Sequence, residues 1–135
     1  MIESVRDLID SQKNEAARFM TKNTRDINYE QYNDLDTINA WMDQIADQYD
    51  FITKVAFGTK TYEDRDIYAL EIKTSTSKDK NLMILTTGIH AREWIGPAHM
   101  ILYTKNLLDA YTSGDAETVE LLSNIDLVIS YRPVL

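Results

Sequence analysis

His90, Arg92 and Glu93 stand close together in the stretch Asn81–Gly96, which reads N-L-M-I-L-T-T-G-I-H-A-R-E-W-I-G. His90 and Glu93 form an H-x-x-E pair, an imidazole and a carboxylate near one another in sequence. Both are good zinc ligands. Zinc takes nitrogen, sulfur and oxygen donors, and its catalytic sites use three protein ligands with one position open for water. The stretch offers two such donors, or three if His99 joins them. The plain alternative is a buried histidine with a hydrogen-bond partner beside a solvated glutamate. H-x-x-E alone is short enough to arise by chance, and on its own it favours that plainer reading.

The element that must position these residues lies just before them. Leu82-Met83-Ile84-Leu85 is a short, unbroken apolar run bounded by turn residues, the pattern of a strand buried on both faces. Thr86-Thr87-Gly88 then leads to His90. Ligands in open α/β sheets collect beyond the carboxyl ends of such strands, so a core strand here delivers three functional side chains to a favoured place.

Around that strand the pattern alternates helices and strands. Ser4 is a candidate N-cap for a helix carrying Val5, Leu8, Ile9, Gln12 and Ala16 on one side, with a short strand end before it. Met20 to Asp26 has no apolar periodicity and reads as a linker. Asp34 can cap a second helix, in which Leu35, Ile38, Met42, Ile45 and Tyr49 recur at helical spacing with Trp41 at the border. Ile52 to Phe57, ending at Gly58, and Ile67 to Ile72 read as two strands joined by the hairpin loop Thr61–Asp66. Ser75 to Lys80 is a polar turn. Pro97 suits the first turn of a largely buried helix. Its two stripes are Ala98, Ile101, Leu102, Lys105 and Met100, Tyr103, Leu107, Tyr111, and Gly114 stands near its C-cap. Asp115 caps a short helix through Val119 and Leu122, and Ile125–Ser130 is the last strand.

The longer string G-I-H-A-R-E-W-I directly after an apolar strand resembles the first metal-binding motif of the zinc metallocarboxypeptidases of the pancreatic A and B type. The matching residues are Gly88, His90, Arg92, Glu93 and Trp94. The resemblance extends upstream. Asn28-Tyr29-x-x-Tyr32-x-x-Leu35-x-x-Ile38 is similar to the start of the mature catalytic domain, and I-E-S-V-R-D-L-I-D-S-Q to the end of the activation segment. At the hairpin the family commonly has G-x-S-x-E-G-R-x-I; here Asp64 stands in place of the glycine. The resemblance implies an α/β fold, a three-layer α/β/α arrangement with a mixed, mainly parallel sheet that is incomplete in this chain. It implies one Zn2+ per complete catalytic domain, held in part by His90 and Glu93. It implies that Arg92 helps bind the substrate's terminal carboxylate region. The implied boundaries are 1–27 for the end of the activation segment and linker, and 28–135 for the first part of the catalytic domain.

By the same resemblance, the third zinc ligand and the general base would follow Leu135, leaving no catalytic residue within this chain. The whole enzyme would be a secreted zymogen that removes C-terminal residues from peptides or proteins. A trypsin-like protease would activate it at a basic position such as Lys22 or Arg25; the competing reading of that stretch is an ordinary surface linker. Two other functional readings stay open: a truncated, non-catalytic product, and a different zinc amidohydrolase that also uses H-x-x-E.

Composition narrows the classes. The 135 residues suit one ordinary core. A hydrophobic share of 44% and a charged share of 27% are those of a globular protein. The net charge of −8 argues against a nucleic-acid partner. No apolar run approaches the roughly 20 residues of a membrane helix. With no cysteine, disulfides and thiol chemistry are excluded, and the redox compartment is left undecided. Met1-Ile2-Glu3-Ser4, followed by Arg6 and Asp7, carries no apolar signal region, so a secretory signal would lie upstream.

Overall fold

The computed structural model describes residues 4–20, 27–77 and 79–131. The expected strand end at residues 1–3 and the linker with Lys22 and Arg25 lie outside the described residues. The order is α1 (Val5–Met20), α2 (Leu35–Gln48), β1 (Ile52–Lys60), β2 (Asp66–Ile72), β3 (Asn81–Thr87), α3 (Ile95–Ser113), α4 (Ala116–Asn124) and β4 (Ile125–Tyr131).

The capping residues act as their sequence positions suggest. Ser4 Oγ accepts from the Asp7 amide at 3.2 Å. Asp34 accepts from the Thr37 amide at 2.8 Å and Asp115 from the Thr118 amide at 3.0 Å. Each satisfies a donor that the first helical turn leaves unpaired. Gly114 closes α3 in the left-handed conformation, φ 79°.

The four strands form one open sheet in the order β1-β2-β4-β3. β1 pairs antiparallel with β2, β2 antiparallel with β4, and β3 parallel with β4. This is the expected mixed sheet of an α/β fold, although within these four strands parallel pairing is the minority. β1 continues past the expected end at Phe57 to Lys60, through an irregularity in the register where Gly58 has φ 71°.

One core joins the helices to a single sheet face. Alternation along the strands puts Leu70 and Ile72 of β2 and Leu127, Ile129 and Tyr131 of β4 on the same side, and the register sets Leu70 opposite Ile129 and Ile72 opposite Leu127. They cluster with Ile38, Trp41, Met42 and Ile45 of α2, Ile101, Leu107 and Leu108 of α3, and Leu122 of α4. Two of the three expected layers are therefore present in the described residues. Trp41 is a core residue rather than a border one, only 2% exposed.

The largest departure from expectation concerns β3. The sequence suggests a strand buried on both faces, yet Leu82, Met83 and Ile84 are 60%, 44% and 55% exposed. The reason is topological. Among the described residues β3 is an edge strand paired on one side only, and none of the described helices covers its second face. Its start is nevertheless fixed. Lys80, whose side chain is 3% exposed, pairs with Asp126 at 3.0 Å and donates to the Leu122 carbonyl at 2.9 Å. A cation at the end of α4 also complements that helix's dipole.

Candidate metal-binding loop

β3 ends at Thr87, and the chain turns at Gly88, φ 75°. That left-handed angle is strained for residues with a Cβ and open to glycine. The loop then makes two tight turns. The Glu93 amide donates to the His90 carbonyl and the Gly96 amide to the Glu93 carbonyl, both at 3.1 Å. Gly96 lets α3 begin against the strand end, because a Cβ there would overlap Thr87 Oγ1. Trp94 closes the loop from the other side: its indole Nε1 donates to the Ala91 carbonyl at 2.8 Å.

These turns bring the two zinc-type donors together. His90 Nδ1 lies 3.0 Å from Glu93 Oε2, with side chains 70% and 54% exposed. Two donors on one tetrahedral zinc, each about 2.0–2.2 Å from the metal, stand roughly 3.3–3.5 Å apart. The observed spacing is close to that, so the pair suits two positions of such a site in both donor type and reach. The His90 ring is solvent-facing, which removes the alternative of a buried core histidine.

Arg92 is exposed on the same loop, with no ion pair or hydrogen bond among the described residues. His99 lies one turn into α3 and is exposed. It does not join the pair: among the described residues, no group of three or more His, Cys, Asp or Glu side chains could hold a metal ion. One contact that sequence reading missed is Tyr32 against Trp94, an edge-on ring pair with centroids 5.8 Å apart. Only the tertiary fold reveals that neighbour.

A family profile described as zinc carboxypeptidase matches residues 38–132, most of the chain and all of this loop. The chain belongs to the zinc carboxypeptidase family.

Among curated relatives of this family member, carboxypeptidase A1 of Homo sapiens is 33% identical over 132 residues, covering 96% of this chain and 31% of the human protein. Carboxypeptidase O of Bos taurus is 35% identical over 107 residues, 79% of this chain and 28% of that protein. The inactive metallocarboxypeptidase ECM14 of Saccharomyces cerevisiae is 32% identical over 111 residues, 80% of this chain and 26% of that protein. Among solved structures, thrombin activatable fibrinolysis inhibitor superposes with a TM-score of 0.78 at 31% identity, over 96% of this chain and 31% of that one. Carboxypeptidase A of Helicoverpa armigera, at 23% identity and TM-score 0.71, covers 96% of this chain and 32% of its own and supports the fold. The chain spans less than a third of the length of these proteins.

Proposed function

We propose that this chain carries the first zinc-binding motif of a metallocarboxypeptidase that removes C-terminal residues from peptides. The observation that carries the reading is the pairing of His90 and Glu93 at 3.0 Å on an exposed loop beyond a strand end. His90 and Glu93 would hold the metal. Bound zinc would supply Lewis-acid polarisation of the scissile carbonyl and lower the pKa of its water. Arg92 would orient the peptide's carboxylate end by charge-assisted hydrogen bonds; its exposed guanidinium, without an ion pair or hydrogen bond among the described residues, supports that role. The general base and the third ligand would come from residues other than those described here. Secretion as a zymogen, and activation by a trypsin-like protease near Lys22 or Arg25, belong to the same reading.

Zinc titration by calorimetry tests it. The chain alone should bind zinc far more weakly than a complete three-ligand site, because two exposed donors leave the metal poorly fixed. Binding should vanish in His90→Ala and Glu93→Ala and persist in His99→Ala. Tight, stoichiometric binding lost in both His90→Ala and His99→Ala would favour a local three-ligand site instead. In the complete enzyme, Arg92→Ala should lower peptide hydrolysis while zinc content stays near stoichiometric; zinc loss would mark Arg92 as structural.

A second reading, a non-catalytic member of the family, is favoured by one finding: a relative 32% identical to this chain is described as inactive. Peptide hydrolysis by the full-length protein, abolished by His90→Ala, would exclude it.

A further inference from the structure

We propose that Tyr32 is a positioning residue for the His90–Glu93 loop and acts on it through Trp94. In its metal consequence the proposal rests on the zinc reading above; in its structural part it stands alone.

Tyr32 sits on a turn that is held firmly in place. Ile27 anchors the segment in the core at 8% exposure. The Asn33 side chain donates to the Asn28 carbonyl at 2.8 Å and the Gln31 carbonyl at 3.1 Å, and accepts from the Asn28 amide at 3.1 Å. Asn28 Oδ1 accepts from the Glu30 amide at 2.9 Å. Next to it, Tyr29 Oη accepts from the buried Trp41 indole at 3.1 Å. The segment is thus tied to the core and to itself, and it offers the Tyr32 ring as a fixed surface.

The loop that meets this surface lacks the usual anchor. Trp94 occupies the N-cap position of α3, and among the described residues no side-chain cap hydrogen bond is made there. The entry angle of the chain into α3 is therefore free of the restraint that an Asp or Ser cap would impose. Trp94 makes two contacts instead. Its ring meets Tyr32 edge-on at 80°, and its indole N–H holds the Ala91 carbonyl between the two metal-type donors. Fixing the indole fixes that carbonyl, and with it the turn that sets His90 against Glu93. Both rings stay partly exposed, Tyr32 at 38% and Trp94 at 44%, so the pair serves the loop without being part of the main core. Second-layer contacts of this kind set ligand orientation at metal sites.

The test uses the full chain, first without metal. Tyr32→Ala should speed hydrogen exchange at the Glu93 and Gly96 amides by about three- to tenfold, the factor an edge-on aromatic pair supplies. It should also shift the Trp94 indole N–H resonance, assigned through Trp94→Phe, while the urea midpoint changes little. Tyr32→Phe, which keeps the ring, should match the parent. Unchanged exchange in Tyr32→Ala, or a Tyr32→Phe variant as loose as Tyr32→Ala, overturns the proposal whatever zinc does. With added Zn2+, the affinity should fall by a similar factor in Tyr32→Ala and recover in Tyr32→Phe. An affinity equal to the parent's in Tyr32→Ala overturns the metal consequence. A complete enzyme whose zinc content is unchanged by His90→Ala, together with faster exchange in Tyr32→Ala, removes the zinc reading and leaves the positioning role standing.

Discussion

β4 and β3 are neighbours in one sheet, paired in register from Asn81 opposite Ile125 to Thr87 opposite Tyr131. Both are apolar runs of similar length. Yet Leu127 and Ile129 of β4 are 1% and 0% exposed, whereas Leu82 and Ile84 of β3 are 60% and 55% exposed. β4 lies between two strands and under helices; among the described residues β3 has one strand neighbour. The same composition therefore does different work in the two places. In β4 it contributes packing free energy. In β3 it supplies a frame whose end presents the His90–Glu93 loop.

The sharpest test of that contrast is a matched pair of truncations. Ile129→Ala should destabilise by about 2–5 kcal/mol, the range for emptying a packed aliphatic site. Ile84→Ala in the same chain should cost no more than about 1 kcal/mol, because over half of its surface is already in water. Urea unfolding measures both, and equal costs would mean that β3 is buried in solution.

Next in size is the polar end of β4. Thr104 Oγ1 donates to the Met100 carbonyl at 2.8 Å and lies 2.8 Å from Tyr131 Oη, so the tyrosine hydroxyl is the donor between them. Thr104→Val leaves that buried hydroxyl without an acceptor and should cost about 1–3 kcal/mol. Tyr131→Phe, which removes the donor itself, should cost less. Burial pushes the Tyr131 phenol above its ordinary range, against a smaller opposing effect of the Thr104 hydrogen bond. The folded state thus keeps a proton that the unfolded chain releases. Stability should hold below about pH 10 and fall as pH rises beyond it. Tyr131→Phe should blunt that alkaline loss.

On the β3 side, Gly96→Ala presses a methyl group into the Thr87 side chain. A cost of about 1–3 kcal/mol is expected if the seam between strand end and helix start is as tight as the core. A neutral result would show that the loop yields where the core does not.

The smallest effects lie away from both strands. Asp64 adopts φ 61° in the β1–β2 hairpin, a conformation easier for glycine, and Asp64→Gly should stabilise by up to about 1 kcal/mol. Thr118 hydrogen bonds, from the side chain and then the backbone, hold the Asp115 carboxyl below its usual range. Its stabilisation should be present above about pH 4 and lost as pH falls through the depressed folded value. An Asp115→Asn variant compared with the parent across that interval by thermal melting should show a smaller acid dependence.

Several parts of the fold were legible in the sequence for local reasons. Ser4, Asp34 and Asp115 cap helices because a short acceptor side chain meets amides within one turn, and this depends on no distant residue. The stripe Ile38, Met42, Ile45 is a property of helical spacing. The H-x-x-E spacing put His90 and Glu93 within reach once a turn formed between them. Asp64, read as standing where its family has glycine, is in the left-handed region that glycine favours.

The tertiary structure alone decided what depended on neighbours. The apolar run 82–85 said that water is unfavourable around it, but strand order determined how much of it is covered. Trp41 was a border residue by spacing and became central because Tyr131 packs against its ring, centroids 5.8 Å apart. Gly96 gave no sign of Thr87, and Tyr32 none of Trp94, because those contacts join residues that only folding brings together. Local order follows from short-range sterics and hydrogen bonding, which the order of residues encodes directly. Burial and the setting of the His90–Glu93 loop follow from long-range packing, which is fixed only when the strands take their places in the sheet.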